Sequence, residues 1–472
     1  MEVLVIYHII VIYSEIDMNK QILTILIIVF NFNLVQLHGQ TYFNIEKFGV
    51  SGVDNNDDTK LFDKAIEFIS KNGGTLFIPK GNYYLNNSER NRKGIYNNSY
   101  IFIVSSDFKI ILDKDAKLFF RNGFKGFRFR STKDPNEKTI NKFSIEIYGG
   151  KINGKNNYTK KTSNNPNVWC FVGETLKSFK VTNLKIFDFY GSAGIASYSN
   201  DFVEISDNYL YNVTGNPYDM IDNHGDGIYI ANTKKYNVKN NNIINRISEN
   251  NRIGRIGICI EYEQSGNGII SENTISGYDR GVHIELIKGT AIIHDNKLSG
   301  NSSGIVLWNN YRYKQIIDSN IIDNIGLSPK NRSILYTSAP ILMLGYNTNN
   351  NSIIRNNSIL IESKYFIPAN LLQVTSSDIQ VYDNKLIDKS ETLELSIAQG
   401  YSNNKKVKNI DFRNNLVNCK SIMVYDGSNV SVDNNTLKIK EGVLSFDNSN
   451  NYLRNNIIDR NSSIKTFGNF MK

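Results

Sequence analysis

The chain has 472 residues, 40% of them apolar, with a formal net charge of +9 and only 7 prolines. That apolar content suits a folded chain rather than a disordered one. Lysine and arginine form no dense run or stripe, which argues against nucleic-acid binding. The positive balance is compatible with an acidic polymer as partner. Cys170, Cys259 and Cys419 are odd in number and widely spaced, so they make neither a disulfide framework nor a metal cluster.

From Met18 the chain reads "MNKQILTILIIVFNFNLVQLHGQTY". A lysine, an apolar run and a polar end with Gly39 follow the three-part plan of a secretory signal peptide. Residues 1–39 therefore read as an export signal, with Met18 as the true start, and residues 40–472 as one domain. Glu15 and Asp17 separate two short apolar runs, each too short to span a bilayer. The expected location is secreted or periplasmic, with no membrane span in the mature chain.

Next comes "FNIEKFGVSGVDNNDDTKLFDKAIEFISKNGGTLFIPKGNYYL" (43–85). Asp57 or Asp58 can cap a helix beginning near Thr59. Leu61, Phe62, Ala65, Ile66 and Ile69 give that helix one apolar face, and Gly73-Gly74 ends it. Such a helix suits an N-terminal cap over the open end of a stack of strands.

From residue 205 onward one phrase recurs: "ISDNYL", "VKNNNI", "ISENTI", "IHDNKL", "IDSNII", "IRNNSI", "VYDNKL", "FRNNLV", "VDNNTL", "LRNNII". Its aligned asparagines run from Asn208 to Asn456. They are between 20 residues (Asn415 to Asn435) and 37 residues (Asn320 to Asn357) apart. A floor near the lower figure with variable excess means a fixed coil carrying insertions. Alternating apolar residues, many of them β-branched, make the coils of strands. Stacking pairs each strand with its equivalent one coil on, in parallel, and places the asparagines at one bend as a hydrogen-bonded ladder. The fold class expected is an all-β, single-stranded right-handed parallel β-helix with an N-terminal capping helix.

The segment 43–85, through Phe48-Gly49, Asp57-Asp58-Thr59, Gly73-Gly74, Pro79 and Gly81, resembles the opening of the pectate-lyase-like β-helix superfamily. Rhamnogalacturonases, epimerase-like proteins and phage tailspikes share that opening. The resemblance implies this fold and a polysaccharide partner.

Side chains alternate between the two faces of a strand. Aligning "GIASYSN", "DGIYIAN", "GICIEYE", "GVHIELI" and "SGIVLWN" on their apolar positions leaves two outward columns. One is Ala196, Tyr229, Cys259, His283 and Val306. The other is Tyr198, Ala231, Glu261, Glu285 and Trp308. Both columns read as facing solvent. Glu261 and Glu285 become neighbours, with His283 beside them. They are candidates for an acid and a base or nucleophile, or for a calcium site. Tyr198, Tyr229 and Trp308 offer apolar faces to a sugar ring. Arg255 and Arg280 could hold acidic groups of a glycan. A purely structural surface would instead carry the two glutamates solvated and neutralised by Arg255 or Arg280.

Upstream, His224 and Asp226 flank Gly225. "DGI" at a strand start resembles the Asp-Gly motif of polygalacturonase-like glycosidases, which would make Asp226 a catalytic acid. The following coil reads "RIGICIE" and lacks that family's Asp pair. The sequence thus points to a secreted carbohydrate-active enzyme, a glycoside hydrolase or a polysaccharide lyase. No cofactor is required; calcium on the glutamates is the alternative. A glycan-binding or adhesive β-helix, or a polysaccharide epimerase, would share the same features.

Overall fold

The phrase "D/N-N" that punctuates the sequence marks a repeated bend. In each coil the first residue of the pair takes a left-handed backbone: Asp207, Asn240, Asp295, Asn356, Asp383, Asn414, Asn434 and Asn455 all have φ between 52° and 59°. Short Asn and Asp side chains tolerate that conformation best. The second residue turns inward and is the aligned asparagine. Its Nδ2 donates to Oδ1 of the next coil's asparagine, from Asn208 to Asn241 at 2.9 Å through Asn296 to Asn320 at 3.0 Å and on to Asn435 with Asn456 at 2.9 Å. Each such Oδ1 also accepts the backbone N–H of the preceding asparagine, as Asn320 does from Asn296 at 3.0 Å. The expected ladder is present along all ten coils.

These bends organise a computed structural model that describes residues 41–86, 101–121, 124–132, 141–156, 169–215, 225–246, 254–308, 313–326, 338–345, 351–362, 368–398, 407–425, 427–445, 450–459 and 470–471. Residues 41–472 form one compact unit. Every strand pairing is parallel, and each strand pairs with its equivalent one coil on, as the right-handed parallel β-helix requires. The expected export signal, residues 1–39, lies outside the described residues. Among those described, no helix is long and apolar enough to cross a membrane.

The α-helix expected after Asp57-Asp58 is α1 (Thr59–Asn72), and it buries Phe62, Ala65, Ile66 and Ile69 in the main core. Asp57 takes its first turn, accepting the Thr59 N–H at 3.0 Å and the Thr59 hydroxyl at 2.6 Å. Asp58 makes no side-chain cap. It is buried and accepts the Tyr84 N–H at 3.0 Å, tying the helix to the first coil. Burial raises its carboxyl from the ordinary 3.8 to about 6. A folded-state value above the unfolded one means that this group favours folding below the ordinary value and that the advantage is lost as pH rises through about 6. Asp58→Asn should therefore raise the melting temperature at pH 7 and lose that gain near pH 4. Equal gains at both pH values would show that Asp58 does not titrate in this way.

The sheet that carries the site is built from eight strands: β1 (Phe127–Arg130), β2 (Trp169–Glu174), β3 (Ala193–Tyr198), β4 (Asp226–Ala231), β5 (Gly254–Glu261), β6 (Tyr278–Glu285), β7 (Ser303–Trp308) and β8 (Ile341–Leu344). Ile228, Ile258, Val282, Ile305 and Ile341 stand in register and stack as one row of the core. Such a row removes apolar surface from water coil after coil, at about 25 cal/mol per Å².

Asn296→Ala should test the ladder. It removes bonds to Asn320 and to the carbonyls of Ile270 and His294, and strips Asn273 of its acceptor. The expected loss is about 1–3 kcal/mol for groups left unpaired in the interior. A variant with the parent's urea midpoint would count against the ladder as a stabilising element.

Candidate functional site

The outward columns fall as the alternation predicts. Tyr229 pairs in register with Cys259, Cys259 with His283, and His283 with Val306. Ala231 pairs with Glu261, Glu261 with Glu285, and Glu285 with Trp308. They do not face open solvent, however. Ala196, Cys259, His283 and Val306 are fully buried, and Glu261 is 9% exposed. The reason is that the outward face has its own packing. Val306, Ala339, Leu342 and Leu344 form one apolar cluster with Trp308 against it. Val172, Ala193 and Ala196 form another, with Trp169, Tyr198 and Tyr229 against it. The glutamates lie between these two clusters.

Glu261 is surrounded by donors. The Tyr229 hydroxyl donates to its Oε2 at 2.9 Å and the Cys259 thiol to its Oε1 at 3.1 Å. Arg255 Nη2 lies 3.8 Å from Oε1. Burial, with the Glu261 charge added, pushes the Tyr229 phenol far above the ordinary tyrosine range, so it acts as a donor rather than a base. Burial and Glu261 likewise push the Cys259 thiol up, which removes it as a nucleophile. Glu285 is more open, its side chain 30% exposed, and its Oε2 lies 2.9 Å from His283 Nε2. One carboxylate oxygen from each glutamate and a ring nitrogen of His283 all lie within 4.8 Å of one another. Trp308 flanks this group, with its ring 6.5 Å from the His283 ring. Tyr198 and Tyr229 pack together at 5.4 Å on the other side.

Asp226 and Arg255, expected at a catalytic acid and a glycan contact, hold each other instead. Arg255 donates through Nε to Oδ1 at 2.7 Å and through Nη2 to Oδ2 at 2.5 Å. Their side chains are only 2% and 9% exposed. Burial opposes charge on both. For Asp226 burial outweighs the attraction of Arg255 and its carboxyl sits above the ordinary range, whereas Asp226 holds the Arg255 guanidinium above its usual value. Arg280 is buried beside Asp279 at 3.3 Å, so it presents no open face to a glycan. His224 lies outside the described residues.

A further cluster lies on the two strands ahead of the aligned columns. On β1 and β2, Arg130 and Glu174 continue the column of Tyr198 and Glu261. Arg128 and Arg130 grip Glu174 through Nε at 2.5 and 2.6 Å. The signal was available: "FRFR" alternates two arginines outward, and "WCFVGE" ends on the glutamate that meets them.

No known family profile matches the chain, and no curated protein matches it. Solved structures do. A double mutant of the tailspike protein of E. coli bacteriophage HK620, in complex with pentasaccharide, aligns with a TM-score of 0.56 and 12% identity, covering 90% of this chain and 78% of that one. Another double mutant of that tailspike gives 0.55 and 11%, covering 92% and 81%. The A-module of the Azotobacter vinelandii mannuronan C-5 epimerase AlgE6 aligns at 0.43 and 13%, covering 91% and 96%. At such identities the likeness is one of fold. The chain has the right-handed parallel β-helix fold.

Proposed function

We propose that this protein is an exported glycoside hydrolase that cleaves a polysaccharide with Glu261 and Glu285. The carrying observation is the pair itself: two glutamates on adjacent coils with oxygens within 4.8 Å. Retaining glycosidases place their two carboxyl groups roughly 5–5.5 Å apart; inverting ones need about 6.5–9.5 Å to admit a water. In this reading Glu261, faced by donors from Tyr229, Cys259 and Arg255, attacks the anomeric carbon through a carboxylate oxygen as the bond to the departing oxygen breaks, and its negative charge is neutralised in the glycosyl–enzyme bond. Glu285, hydrogen-bonded to His283 and partly open, protonates the departing oxygen and then activates the water that releases the sugar. Trp308 and the Tyr198–Tyr229 pair supply apolar faces for sugar rings on either side. The tailspike's pentasaccharide supports a glycan as the partner of such a fold.

Charge favours hydrolysis over elimination. A lyase needs cations to neutralise a uronate. On the described part of this face Arg128 and Arg130 are engaged by Glu174, Arg255 by Asp226, and Arg280 lies beside Asp279. The test is incubation with a panel of neutral and acidic glycans. New reducing ends without absorbance from unsaturated uronides support the hydrolase. Unsaturated products point to a lyase, and binding without any product to an adhesin.

A further inference from the structure

We propose that Glu261, His283 and Glu285 also form a reversible site for a divalent transition metal of the zinc class, and that its occupation silences the carboxylate pair. The donor set carries the choice of metal. Calcium takes six to eight oxygens and has no use for an imidazole. Two carboxylates and one neutral imidazole match zinc and its neighbours instead. His283 is fully buried and held on a central strand, so its ring is positioned in advance rather than recruited. Its Nε2 is 2.9 Å from Glu285 Oε2, and all three donor atoms lie within 4.8 Å. Metal–ligand bonds of about 2.0–2.2 Å require donors about 3.3 Å apart around a tetrahedral ion. Closing a spread of up to 4.8 Å asks for rotation of these side chains, of which Glu285 is the most exposed. A cation there also relieves the repulsion between two carboxylates stacked one coil apart. Once bound, the metal holds the lone pairs that attack and proton transfer require.

The binding half stands on the donors alone; the silencing half rests on the hydrolase reading. The exported chain, stripped with a chelator, would be titrated with zinc chloride in a calorimeter. One equivalent should bind, excess calcium should not displace it, and Glu285→Gln should weaken binding at least about tenfold. Glu285→Gln keeps shape and sits partly open, so it should fold; circular dichroism checks this, and Glu261→Gln serves as the second variant. Cobalt(II) should give a visible ligand-field spectrum that both variants lose. Substoichiometric binding, or equal binding by parent and both variants, overturns the site. Saturating zinc should lower glycan cleavage at least about tenfold, and a chelator should restore it. Stoichiometric binding without inhibition overturns the silencing half. Turnover that requires the metal would keep the site and sink the metal-free carboxylate mechanism.

Discussion

Glu285→Gln should fold like the parent yet cleave the correct glycan at least about a hundredfold more slowly, the usual scale for losing a positioned acid–base group. The substitution keeps the side-chain volume and the contact to His283 Nε2 while removing the titratable proton. Glu285 lies outside the core, so its melting temperature should match the parent's or rise slightly as repulsion from Glu261 ends. Glu261→Gln should show the same loss for a different reason, because its oxygens are to attack rather than shuttle a proton. Added azide or formate should rescue Glu261→Ala, which vacates the space of the carboxylate, on an activated substrate and should not speed the parent. Near-normal turnover in both variants would remove this centre from consideration.

Asp226→Ala should behave in the opposite way. It leaves the Arg255 guanidinium buried without its carboxylate. Breaking such a pair by removing one partner costs about 3–5 kcal/mol. Arg255 is only 9% exposed, so little solvent screening softens the loss. Urea denaturation should show a large drop in midpoint, and Asp226→Asn a smaller one. A stable but inactive Asp226→Ala variant would instead return Asp226 to the role of catalytic acid that its Asp-Gly setting resembles. Stability and activity, measured on the same preparation, separate the two roles.

The contrast between Glu261 and Asp226 shows what was legible in the sequence. Register was legible because strand alternation has period two and the apolar positions fix its phase. That is why Glu261 meets Glu285 and Cys259 meets His283 as the strings suggest. The asparagine ladder was legible for the same reason, as a position repeated at one bend. Burial of the outward face was not, because it depends on apolar clusters assembled from β2 and β3 on one side and β7 and β8 on the other. The partner of Arg255 was not legible either. Arg255 lies ahead of the alternating stretch on β5, and the length of the insertion before it hides that it returns to Asp226 on the previous coil. Arg280 looked available on the strand diagram, and Asp279, its immediate neighbour, turns out to sit beside its guanidinium.

The same geometry limits the chemistry. A face whose described arginines are engaged by Glu174 and Asp226, or lie beside Asp279, offers no described arginine to a uronate, while two glutamates with oxygens within 4.8 Å provide an acid and a nucleophile. Proton NMR of the first products formed from a glycan of known linkage tests this most directly. The account predicts a saturated product whose new reducing end initially keeps the anomeric configuration of the cleaved bond, followed by slow mutarotation. An inverted anomer, or an unsaturated sugar at the new non-reducing end, would contradict it.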